Sequence, residues 1–168
     1  PLGFKSITIP ILFDVSRGGA GLEEGMTALC EAARKAIRAG IDIIILSDRG
    51  IDKNHAAIPS LMAVAGVHHH LIREGTRTQC GLVVESGEPR EVHHFALLLG
   101  YGAAAINPYM AFETIADMVD TGTIKGVSHE RAIGNYVKAV SKGAVEVLSK
   151  RGISTVQSYT GAQIFEAI

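Results

Sequence analysis

Tryptophan is absent and cysteine nearly so, with only two residues, Cys30 and Cys80. Two thiols cannot build a disulfide framework or a four-ligand metal knuckle, so a reducing compartment is the default reading. Aromatics make up 5% of the chain and the formal net charge is −1. That composition lacks the basic, aromatic-studded surface that nucleic-acid binding requires. Long apolar runs are missing too. Ile43-Ile44-Ile45-Leu46 is strand-sized, far below the roughly 20 residues of a membrane span, and no signal peptide is visible. What remains is 168 residues with 47% hydrophobic and 20% charged side chains, enough for one α/β domain with its own core.

The chain alternates between two periodicities. Ile7 to Val15 is β-rich, and Pro10 within it removes one ladder donor, so the strand is expected at a sheet edge or entering the sheet only after Pro10. Ser16 to Gly21 reads as a loop. Leu22, Met26, Leu29, Ala33 and Ile37 then form a helical stripe ending at Gly40. The segment Ile41 to Leu46, apolar except for Asp42, predicts a strand buried on both faces, as in a parallel sheet. Further helices are expected over Pro59–Glu74, Glu91–Leu99, Ala111–Val119 and His129–Lys150. Strands are expected at Gly81–Val84, Ala103–Ile106 and Ile153–Val156. Both termini read as cut: there is no initiator Met, and a helix begun at Ala162 is abandoned by Ile168. Strands alternating with helices imply a parallel β/α repeat, either an incomplete TIM-barrel-like array or an open doubly wound sheet.

Chemistry-bearing residues fall into four groups. Gly18, Gly19 and Gly21 lie where a phosphate loop would lie, but Glu24 occupies the position of the third glycine, so a plain turn is the better reading. His68-His69-His70 and His93-His94 are consecutive. Helical neighbours point about 100° apart, so they cannot share a metal, and a structural role is expected. Ser47-Asp48-Arg49 and Glu85-Ser86 follow predicted parallel strands, the edge where α/β active sites form; the alternative is that Asp48 and Arg49 pair with each other or with a neighbouring loop and hold it in place. In the last block Ser154, Thr155 and Gln157 lie at the end of a predicted strand and precede Gly161, as a flavin-contacting strand end or a capped βα turn would.

The final block, Gly152-Ile153-Ser154-Thr155, Gln157-Ser158-Tyr159 and Gly161-Ala162-Gln163-Ile164-Phe165-Glu166-Ala167, closely resembles the start of the flavin domain of glutamate synthase. Upstream, Ile45-Leu46-Ser47-Asp48-Arg49-Gly50, Ile58-Pro59-Ser60-Leu61, Val67-His68-His69-His70-Leu71, Val92 to Gly102 and Ala105-Ile106-Asn107-Pro108-Tyr109 resemble the same family in the same order. Arg151 stands where that family usually has Met, and Thr160 where it usually has Arg. The resemblance implies the C-terminal part of a central domain over residues 4–127, then a linker helix and the start of an FMN-binding synthase domain over 128–168. It implies an oxidoreductase making L-glutamate from L-glutamine and 2-oxoglutarate, in which this segment links the glutaminase and synthase sites and helps line an ammonia tunnel. FMN and an iron–sulfur cluster would belong to the parent enzyme, with none bound by this segment alone. Gly152, Ser154, Thr155, Gln157, Ser158 and Tyr159 would lie near the flavin, with no catalytic or metal-ligating residue here. Implied partners are the remaining domains and a reductase subunit or ferredoxin, in the cytoplasm or plastid stroma. The alternatives are a free-standing FMN-binding barrel oxidoreductase and a noncatalytic scaffold. Open sheet edges would favour self-association.

Overall fold

The structure, a computed structural model, describes residues 3–165. Its main sheet joins β1 (Ser6–Pro10), β3 (Ile43–Ser47), β5 (Gly81–Glu85) and β6 (Ala105–Asn107), all parallel and in chain order. The β-rich segment 7–15 is two strands rather than one. After β1 it turns at Ile11, and β2 (Leu12–Asp14) pairs antiparallel with β4 (His55–Ala57) in a small second sheet. Pro10 ends β1, which pairs only with β3 and is the sheet edge expected for it.

The connections are α1 (Gly18–Arg38), α2 (Ser60–Arg73) and α3 (Val92–Gly100), followed by α4 (Tyr109–Asp120), α5 (His129–Lys150) and the short α6 (Val156–Tyr159). The strand order advances one place at a time with no reversal. Right-handed crossovers then put α1, α2 and α3 on one face of the sheet, where α1 packs on α2 and α2 on α3. A doubly wound sheet would reverse its order and carry helices on both faces. The winding is therefore that of a β/α barrel segment, and the sheet is open among the described residues.

Strand burial follows this one-sided cover. Ile9, Leu46 and Val84 lie in register on the helix side and are buried. Thr8 is exposed on the opposite face, while Ile45 and Val83 beside it are half-buried. The two-sided burial expected of Ile41 to Leu46 is thus only half realised. The core gathers around Ile44, Leu46, Leu82 and Val84 against Leu29, Ala33, Val64, Val67 and Leu71.

Two further expectations are corrected. The glycine segment is not a loop: α1 begins at Gly18. A Cβ on Gly21 would stand 2.5 Å from the Asp14 carbonyl oxygen, and one on Gly25 2.9 Å from Phe13 Cβ. These glycines let the first turns of α1 press onto β2. The fifth strand does not form either, since Val156–Tyr159 is helical. Thr155 supplies its cap, its Oγ1 accepting from the Ser158 N–H, and a satisfied cap outweighs the β preference of Ile153-Ser154-Thr155-Val156. Of the helix expected from Ala162, residues 162–165 are irregular and 166–168 lie outside the described residues.

Candidate functional site

At the carboxyl edge of the sheet, Ser47, Glu85 and Asn107 end three neighbouring strands in register. Glu85 is the hub. Its Oε2 accepts from Ser47 Oγ at 2.6 Å, and its Oε1 from Asn107 Nδ2 at 3.2 Å. Arg49 Nε lies 3.2 Å from the same Oε1. The Arg49 guanidinium stacks 3.7 Å from the centre of the Tyr109 ring and reaches Glu113 at 3.7 Å. The Ser47 hydroxyl, and then Arg49, hold the Glu85 carboxyl below the usual range.

Asp48 lies beneath this layer and is 2% exposed. Its Oδ2 accepts from Ser86 Oγ at 2.6 Å and from the Gly87 N–H at 2.9 Å, while Oδ1 has no donor. Asp48 therefore holds the loop after β5, and Arg49 pairs with Glu85 rather than with Asp48. Burial and the neighbouring Asp48 push the Tyr109 phenol up to about 12, so it keeps its proton. The sequence marked Ser47, Asp48, Arg49, Glu85 and Ser86 but not Asn107, Tyr109 or Glu113. The available signal was that Asn107-Pro108-Tyr109 also follows a parallel strand.

The histidines are spread over separate tasks. His68 is buried, its Nδ1 accepting from Arg77 Nε at 2.8 Å. Burial, and then the Arg77 charge, lower His68 to about 4, so it is neutral at ordinary pH. Arg77 also donates to the Cys80 carbonyl at 2.8 Å and the Gly102 carbonyl at 2.9 Å. His94 closes the first turn of α3 in a capping box with Glu91. His55 and His129 pair on the surface with Asp52 and Asp120. Among the described residues no three His, Cys, Asp or Glu side chains converge on a metal position. Burial pushes both the Cys30 and Cys80 thiols up, which disfavours the thiolate that either a nucleophile or a ligand needs.

The C-terminal candidates have mixed surroundings. Gly152, at φ +70°, stops α5: its N–H donates to Ser149 and the Ile153 N–H to Leu148, a Schellman closure. Thr155 and Ser158 bond each other across the cap of α6. Tyr159 is fully buried and donates to the Ala96 carbonyl at 2.9 Å. Ser154 and Gln157 are exposed. A flavin phosphate or ring edge could therefore be met by Ser154 and Gln157, while the other four are engaged within the chain.

The family profile of the glutamate synthase central domain matches residues 2–168. The large chain of glutamate synthase [NADPH] from Bacillus subtilis is 49% identical over 164 residues, covering 98% of this chain and 10% of the relative. Glutamate synthase [NADH] from Schizosaccharomyces pombe is 43% identical, with 98% of this chain and 8% of the relative covered. The chloroplastic ferredoxin-dependent enzyme from Spinacia oleracea is 44% identical, with 96% and 11% covered. The chain thus spans about a tenth of the length of these relatives. Among solved structures, a mutant flavocytochrome b2 with benzoylformate superposes with a TM-score of 0.64 at 14% identity, covering 79% of this chain and 31% of that one. Another, with pyruvate bound, gives 0.60 at the same 14% identity, covering 83% and 35%. At this identity the likeness concerns the fold, a β/α array of the kind described above.

Proposed function

The chain belongs to the glutamate synthase central-domain family, and on that premise we propose that it is a structural piece of an enzyme making L-glutamate from L-glutamine and 2-oxoglutarate. Residues 4–127 are the C-terminal part of the central domain, and 128–168 are a linker helix running into the FMN-binding synthase domain. The piece joins the glutaminase and synthase sites and helps line the passage for ammonia between them. FMN and an iron–sulfur cluster belong to the parent enzyme, whose electrons come from a reduced nicotinamide or ferredoxin, in the cytoplasm or the plastid stroma. No helix among the described residues is long and apolar enough to cross a membrane.

The observation that carries this reading lies at the strand ends. The carboxylates there are engaged within the chain: Glu85 by Ser47, Asn107 and Arg49, and Asp48 by Ser86 and the Gly87 N–H. A catalytic edge keeps a base or nucleophile open to substrate, whereas here Glu85 is engaged on both oxygens and Asp48, whose Oδ1 lacks a donor, is 2% exposed and shut away from substrate. FMN, when bound, would supply the reduction, and this chain would contribute Ser154 and Gln157 to holding it. The open edges of β1 and β6 also favour self-association of the isolated piece. In a full-length relative, Ser154→Ala with Gln157→Ala is expected to lower FMN occupancy several-fold, about 1 kcal/mol per lost hydrogen bond. The isolated chain is expected to purify colourless. Stoichiometric flavin together with turnover of 2-oxoglutarate would overturn the proposal.

A further inference from the structure

We propose that residues 153–165 form a strap docked on the carboxyl end of α3, and that the turn Gly100-Tyr101-Gly102 is the seat that fixes its position. Three hydrogen bonds hold it. Tyr159 Oη donates to the Ala96 carbonyl at 2.9 Å, the Gly161 N–H to the Gly100 carbonyl at 2.8 Å, and Tyr101 Oη to the Phe165 carbonyl at 3.3 Å. The rings of Tyr159 and Phe165 meet edge to face, with centroids 6.3 Å apart. Both rings close over Gly100, where a Cβ would stand 3.4 Å from Tyr159 and 3.5 Å from Phe165.

The seat is also held from its other side, by Arg77 and by His68, whose ring reaches as far as Gly161 of the strap. Arg77 grips the Gly102 carbonyl at 2.9 Å, and His68 fills the space where a Gly102 side chain would go. No strand pairing joins residues 153–165 to the rest. A segment held by a few hydrogen bonds and two rings can open as its own unit while the sheet stays folded. The Arg77 bond to the Gly102 carbonyl involves no strap residue, so this anchor persists on undocking and the seat can receive the strap again. The strap is therefore a reversible joint at the amino-terminal side of the sheet, where α3 ends and β6 begins. The consequence for catalysis rests on the proposed function: if residues 128–168 lead into the flavin domain, that domain's entry point is set by where the strap sits on α3.

Hydrogen–deuterium exchange on this chain tests the docking. Gly100→Leu suits a helix but claims the space of both rings. Amides of Tyr159–Phe165 are expected to exchange at least about tenfold faster in this variant, with α1 and α2 unchanged. Tyr159→Phe removes a single hydroxyl and should give a smaller rise, about threefold, in the same peptide. Strap exchange equal to that of the parent sequence in both variants would overturn the proposal. So would strap amides that exchange at the rate of an unstructured peptide before any substitution. Unchanged FMN occupancy after Ser154→Ala and Gln157→Ala would sink the flavin assignment and leave the docking result standing.

Discussion

Asp48 is buried and Arg77 half-buried, and neither has a counter-ion among the described residues, yet they are accommodated differently. Asp48 is served by a hydroxyl and an N–H on one oxygen, and its other oxygen is left without a donor. Arg77 is served from three sides by the neutral ring of His68 and two carbonyls. The anion ties one loop to one strand end, whereas the cation joins α2, the entry to β5 and the end of α3. The incomplete network should yield locally when altered, and the closed one should fail as a unit.

Sharpening that contrast begins with the closed network. Gly102 has φ +121°, and a Cβ there would meet His68 at 2.5 Å. Gly102→Ala is expected to cost about 4 kcal/mol, combining backbone strain with overpacking, read as a large drop in the urea midpoint. The next effect is on pH. His68 is held near 4 against an ordinary 6.5, so between those values the unfolded chain binds the proton that the folded chain refuses. Stability is complete above pH 6.5 and falls as pH drops toward 4, by up to about 3 kcal/mol. His68→Asn should flatten that part of the urea-midpoint profile, and a profile of unchanged slope would contradict the assignment.

At the strand edge the expected losses are smaller. Asp48→Ala strips acceptors from Ser86 Oγ and the Gly87 N–H and should cost about 2 kcal/mol, with faster exchange confined to the loop after β5. A loss spread to the amides of α2 would erase the contrast. Glu113 sits 3.7 Å from Arg49, and its side chain is 60% exposed, so Glu113→Ala should move the urea midpoint by less than about 0.5 kcal/mol equivalent.

Elements with local punctuation were legible in the sequence. The bounds of α5 follow from Ser128, whose hydroxyl accepts from the Arg131 N–H, and from the stop at Gly152. The runs in β3 and β5 announced themselves through β-branched residues. The pair β2–β4 did not, because three residues per strand carry no periodicity. Gly18, Gly19 and Gly21 misled because a glycine-rich helix start has the composition of a loop. Ile153-Ser154-Thr155-Val156 misled because the bond between Thr155 and Ser158 is a local alternative to a strand. At the site, strand ends were marked one by one. The meeting of Ser47, Glu85 and Asn107 depends on sheet register, which spacing along the chain does not encode. Tyr109 and Glu113 join only because α4 starts directly beyond β6.

The pairing of Gly102 with His68 also constrains how this sequence can drift. Position 102 is restricted twice, by its dihedral angle and by the imidazole against it. The restrictions are nested rather than mutual. A lineage that replaces the histidine gains no freedom at 102, because the backbone there still excludes a side chain. Substitution at 102, by contrast, immediately displaces the ring and with it the guanidinium it supports. Change is open in one order and closed in the other.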